Sequence, residues 1–189
     1  MQNPDRMSRD EVRTAVALAA VFFMRMMGLF MVLPVLALYV EHLEAATPLL
    51  IGAALGIYGL TQASLQIVFG KWSDRVGRRP VIAVGLGIFV LGGLVAAASN
   101  HIYAVILGRA LQGAGAISGA TLALAADLTR PSQRTKTMAI IGMSIGAAFT
   151  VAFLVGPLLD AWFGLRGVFL GGAVLGLGSL ALLWGVVPT

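Results

Sequence analysis

Six apolar runs constrain this chain more than any other feature: about 14–40, 48–69, 80–98, 102–126, 138–159 and 166–187. Each approaches or exceeds the ~20 residues an α-helix needs to cross the hydrocarbon core of a bilayer. Soluble domains carry about 25% charged residues. Here the charged fraction is 11% and the hydrophobic fraction 59%. The predicted fold class is therefore an all-α membrane protein with six transmembrane helices, preceded by a polar segment over 1–13. That segment leads straight into a run too long for a signal-peptide core, so no cleavable signal is expected. The chain has no cysteine, which excludes disulfides and thiolate metal sites, and only two histidines remain for any metal. No metal is expected.

Charge placement predicts the orientation. Lys and Arg concentrate in short cytoplasmic segments of membrane proteins. Ten of the thirteen Lys and Arg residues fall in 1–13, 71–79 and 127–137, whereas the turns on the other side hold only Arg166. Both termini are thus expected in the cytoplasm. The same topology accounts for the net charge of +5 without a nucleic-acid partner. Trp72, Trp162, Trp184, Tyr39 and Tyr103 fall near run ends, as an aromatic belt would. A faint repeat accompanies the topology: Ile51-Gly52-x-x-x-Gly56 opens the second run and Ile141-Gly142-x-x-x-Gly146 the fifth. Three helices repeated three later run in the opposite sense, the 3+3 inverted repeat of secondary transporters.

Between the second and third runs lies the polar stretch Gly70-Lys71-Trp72-Ser73-Asp74-Arg75-Val76-Gly77-Arg78-Arg79-Pro80. On composition it is a tight, positively charged topogenic turn. Asp74 and Arg78 are four apart and can face each other on a helical turn. Asp127 ends the fourth run, where the helix dipole disfavours an anion unless a base is near. Arg75, Arg78 and Arg79 are available, so an Asp74–Arg78–Asp127 cluster is expected to latch the cytoplasmic helix ends. The blander reading is that Asp127 merely starts the loop by capping the next segment.

Arg25 and Arg109 are the charges placed inside the hydrocarbon. A central arginine costs at least ~2.5–3.5 kcal/mol on insertion scales and usually faces a bundle interior or an aqueous cavity. Each either meets an anionic group or bonds neighbouring helix carbonyls; the second reading is favoured for Arg109. Tyr58, Gln62, Gln66 and Gln112 are candidates to line a cavity, with interhelical bonding the alternative. Pro34 and Gly156-Pro157 are expected to bend the first and fifth helices by freeing the carbonyls of Phe30 and Phe153. Gly52/Gly56, Gly115/Gly119, Gly142/Gly146 and Gly172/Gly176 are spaced to let helices approach closely. No enzyme constellation emerges: the acids lie at run ends, and His42 and His101 sit in outer turns.

Gly70, Asp74, Arg75, Gly77, Arg78 and Arg79 match G-x-x-x-D-R-x-G-R-[RK], so the chain resembles the major facilitator superfamily, which carries that loop between its second and third helices. Arg109-x-x-Gln112-Gly113-x-Gly115 is similar to the family's fourth-helix motif, associated with proton coupling. Gly156-Pro157 is similar to the core of its fifth-helix antiporter motif, with Ala152, Asp160 and Ala161 where glycines are usual. Arg25-Met-Met-Gly-Leu-Phe-Met-Val-Leu-Pro, Gly56-Ile-Tyr-Gly-Leu-Thr-Gln, Asp127-Leu-Thr-Arg and Arg134-Thr-Lys resemble a YajR-type branch of proton-driven drug exporters. The resemblance implies the N-terminal six-helix half of a transporter in the inner membrane, energised by a proton gradient and needing no cofactor. It also implies that Asp74, Arg78 and Asp127 form a conformational latch. The expected partners are the bilayer, a small-molecule substrate, and a C-terminal six-helix bundle or a second copy of the chain. The competing expectation is a six-helix membrane assembly module that transports nothing.

Overall fold

A computed structural model of the chain describes residues 6–38, 43–98 and 100–187. Tyr39, His42 and the end of the first apolar run lie outside these residues. Helix α1 (Arg9–Phe30) starts at a capping box: the Ser8 hydroxyl accepts from the Glu11 N–H while the Glu11 carboxylate accepts from the Ser8 N–H. Only Met31, itself in right-handed helical conformation, separates α1 from α2 (Val32–Leu36). The interruption lies where Pro34 has no N–H to offer the Phe30 carbonyl.

Helix α3 (Pro48–Val76) begins at Thr47, whose hydroxyl accepts from the Leu50 N–H at 3.3 Å, with Pro48 in the first turn as expected. It ends later than the sequence suggests. Residues 70–76 are helical rather than a turn, and Gly77 alone makes the reversal into α4 (Arg78–Ala97). Gly77 has φ 107°, a left-handed conformation that side-chain-bearing residues rarely adopt, so the glycine is required here.

The fourth expected helix is in fact two, α5 (Ile102–Ala114) and α6 (Ser118–Asp127). Across the break, the N–H groups of Ala116 and Ile117 bond the carbonyls of Ala114 and Gly115 at 2.8 and 2.9 Å, which are not helical partners. The break sits where the backbone is pressed against α4: a Cβ on Gly115 would lie 2.3 Å from the Gly85 carbonyl oxygen.

After a short 3-10 turn (Pro131–Gln133), α7 (Arg134–Gly185) carries the remainder of the chain. Its backbone stays helical through Gly156 and Pro157 and leaves helical geometry at Gly164 (φ 65°, ψ −173°). The expected turn over 160–166 is therefore a single residue. Leu159 and Gly171 would stand about 18 Å apart on a straight helix. Instead a Cβ on Gly171 would be 3.1 Å from the Leu159 side chain, so α7 folds back on itself and has two arms.

Helix α1 lies against α7, α4 against α5 and α7, and α3 against α5. Leu18, Phe22, Leu86, Phe89 and Phe169 fill the interior. Of the glycine pairs, Gly172 and Gly176 meet α1 and α4 closely, whereas Gly52, Gly56, Gly142 and Gly146 have nothing within 4 Å of a hypothetical Cβ. Close approach within the chain does not explain those four. Among the described residues, four helical stretches are long and apolar enough to cross a membrane: Arg9–Leu36, Pro48–Val76, Arg78–Ala97 and Pro131–Gly185. Helices α5 and α6 miss that length because of the break between them.

Candidate functional site

The helix packing brings the sequence-derived candidates to two places. The first is interior. Arg25 (α1), Arg109 and Gln112 (both α5) are fully buried, and Tyr58 (α3) is 5% exposed. Arg25 Nη2 donates to the Gly115 carbonyl at 2.9 Å and to Gln62 Oε1 at 3.3 Å, and its guanidinium lies 5.7 Å from the Phe89 ring centre. It thus takes up a carbonyl at the α5–α6 break, the backbone-bonding role considered for it. Arg109 donates to Gln112 Oε1 at 3.1 Å and stacks 4.7 Å over the Tyr58 ring. Gly113 lets α3 and α5 come this close, since a Cβ there would sit 2.2 Å from the Tyr58 carbonyl oxygen. Gln62 is half-buried, and Gln66 is exposed on α3, apart from this cluster.

This interior is rich in donors. Arg25 Nε and Nη1, Arg109 Nε, Gln112 Nε2 and the Tyr58 hydroxyl are buried without a hydrogen-bond partner. Among the described residues no carboxylate pairs with either guanidinium. Buried donors of this kind call for water or an acidic group.

The second place is the end of the bundle where α3 turns into α4. Arg78 bonds the Asp74 carboxylate one helical turn back, and donates to Ser73 Oγ at 2.7 Å and to Asp127 Oδ2 at 3.2 Å. The three expected members therefore meet, and Ser73, buried and unforeseen, joins them by accepting from Arg78 while its hydroxyl donates to the Gly70 carbonyl at 2.7 Å. Arg75 does not join; it points with Lys71 and Trp72 into an open surface recess. Arg79 turns the other way. It donates to the carbonyls of Leu183 (2.8 Å) and Val187 and lies 5.5 Å from the Trp184 ring, capping the end of α7.

Sequence reasoning also missed Glu11 and Arg130. Arg130 grips the Glu11 carboxylate in bidentate fashion at 2.8 and 2.9 Å, adds its backbone N–H at 3.1 Å, and reaches the Arg6 carbonyl at 3.0 Å. Glu11 belongs to the polar first turn ahead of the apolar run. The hydrogen bond from Arg130 holds its carboxyl at about 2, below the usual 4.5. The pair's contribution is thus present above pH 4.5 and lost as pH falls toward 2. The available signal was Ser8-x-x-Glu11, a capping box that fixes where Glu11 points. Arg134 completes this corner by donating to the Ala126 and Thr129 carbonyls at 3.1 and 3.4 Å.

An all-helical body with apolar stretches long enough to cross a bilayer and two arginines sealed inside is that of an integral membrane protein. The family model of the Major Facilitator Superfamily matches residues 18–189, and the chain belongs to that family, which comprises transporters and not enzymes. Inner membrane transport protein YajR of Escherichia coli (strain K12) is 50% identical over 98% of this chain and 41% of its own length. Multidrug resistance protein D of the same organism is 38% identical over 62% of this chain and 30% of its length. Among solved structures, the human organic anion transporter MFSD10 (TETRAN) has the same fold, with TM-score 0.76 and 22% identity over 94% of this chain and 48% of that one. The chain spans less than half the length of the curated relatives it matches most fully.

Proposed function

We propose that the chain forms one six-helix wall of a proton-coupled exporter of small molecules in the inner membrane. The observation that carries this is a pair of helix faces with nothing against them. The most apolar stretches of α3 and α7 are each only 17% buried, against 61% for α1–α2 and 56% for α4. Gly52, Gly56 and Gly59 on α3 and Gly142 and Gly146 on α7 open onto these faces. Small residues on an apolar helix let another helix approach closely. A second bundle, a C-terminal half or another copy, would pack there and enclose the pathway.

In this reading α1–α2, α3, α4, α5–α6 and the two arms of α7 are the six crossings. They form two inverted sets of three, with both termini cytoplasmic, as the Lys and Arg distribution favours. The Asp74–Arg78–Asp127 cluster is the latch at the cytoplasmic end. Arg109 serves proton coupling electrostatically. An acid brought near a guanidinium is held deprotonated, and one that moves away regains its proton. The second bundle would supply that acid, and rocking of one bundle against the other would drive the exchange. Export of drug-like compounds is inferred from the likeness to the multidrug resistance protein.

Liposomes containing the protein assembled with its second bundle, loaded with an amphipathic fluorescent dye and given a pH gradient, test the proposal. Gradient-dependent dye flux is expected, with Arg109→Ala reducing it about tenfold or more. Flux equal to that of empty liposomes would overturn the transport reading.

A further inference from the structure

The fold-back of α7 leaves a groove that neither the latch nor the buried arginines use. It encloses about 400 Å³ and opens outward between the two arms. Its walls are Leu159 and Phe163 on the first arm and Leu170 and Val174 on the second, and Gly167 and Gly171 form the floor. At its mouth stands Arg166, two residues past the fold-back. Its Nε donates to Asn100 Oδ1 at 3.2 Å, which holds the side chain from a different connection of the chain. Among the described residues no carboxylate pairs with Arg166, Asp160 included. Trp162, 75% exposed, flanks the same end, as interfacial tryptophans do.

We propose that this groove is a phospholipid site, with one acyl chain along the arms and the phosphate on Arg166. The dimensions match. From Arg166 to Val174 is eight residues, about 12 Å of helix. One leaflet of hydrocarbon is about 15 Å deep, half of the ~30 Å core. The apolar slot therefore runs nearly the depth of a leaflet, and the one cation sits at its membrane-surface end. A guanidinium matches phosphate geometry with paired donors, and one with no carboxylate in ion-pair contact is free to take a headgroup of net negative charge. The inference requires only that the chain sits in a bilayer, so it stands or falls apart from transport.

Native mass spectrometry of the full chain in mild detergent tests it, with phosphatidylglycerol titrated against phosphatidylcholine of the same acyl chains. The wild type is expected to hold one phosphatidylglycerol in preference to phosphatidylcholine, by about fivefold. Arg166→Gln removes the preference and Arg166→Lys retains most of it. Val174→Trp, which fills the groove from its exposed side without touching the core, lowers occupancy by both lipids. Equal occupancy by the two lipids in the wild type would overturn the proposal, as would full binding in Val174→Trp.

Discussion

Alanine at Gly92 or Gly108 is expected to abolish folded protein, whereas alanine at Gly56 leaves the yield of folded bundle undiminished. A Cβ on Gly92 would lie 2.5 Å from the Gly108 carbonyl oxygen and 2.6 Å from the Gln112 nitrogen. One on Gly108 would lie 2.5 Å from the Gly92 carbonyl oxygen and 2.8 Å from the Ala96 nitrogen. These are backbone atoms of two helices in mutual contact, so no side chain can rotate away; α4 and α5 must separate. Overpacking of a core costs about 1–3 kcal/mol, and more when backbone has to move. Separation would also carry Arg109 and Gln112 out of register with Tyr58. Gly56 has nothing within 4 Å, and alanine there improves helix propensity. The monodisperse fraction after solubilisation and the melting temperature in detergent decide the matter. A normal yield of Gly92→Ala would contradict the α4–α5 packing.

The contrast between these glycines shows where the sequence is legible and where it is not. Apolar run length marks the chain as helical and membrane-embedded, and Thr47-Pro48 locates a helix start, because each acts locally. The small-residue spacing of Gly52/Gly56 is indistinguishable from that of Gly172/Gly176, yet one pair lies open and the other is buried against Phe89, Val90 and Gly28. Which face a helix turns inward is decided by the whole bundle. The α5–α6 break is hidden for the same reason, since the cause at Gly115 is the Gly85 backbone on another helix. Asp74 and Arg78 were readable as a pair from their spacing. Glu11 and Arg130, 119 residues apart, meet only through the fold.

The second large effect is expected at Arg78. Arg78→Ala should change stability by less than about 1 kcal/mol, because surface ion pairs contribute little. Asp74 and Asp127 are 59% and 57% exposed, so both carboxylates remain solvated after the cation is gone. Transport should nevertheless fall about tenfold or more. Arg78 bonds the end of α3 and the end of α6 at once, and the proposed latch would act by favouring one arrangement of those ends over another. Asp127→Asn preserves shape and removes one charge, so it should shift transport in the same direction by less. Dye flux in liposomes and melting in detergent, measured on the same preparations, separate the two effects. A large fall in melting temperature with flux intact would make the cluster a structural brace instead.

The central claim is that α3 and the first arm of α7 pack against a second bundle. The most direct test is the protein mass of the particle extracted in mild detergent, with the detergent contribution subtracted. Two bundles should be found, which for the 189-residue chain alone means twice its mass. Tryptophans at Gly56 and Gly146, positions with nothing within 4 Å inside the chain, should reduce the particle to one folded bundle. A wild-type particle containing a single bundle, unchanged by the tryptophans, would contradict the claim.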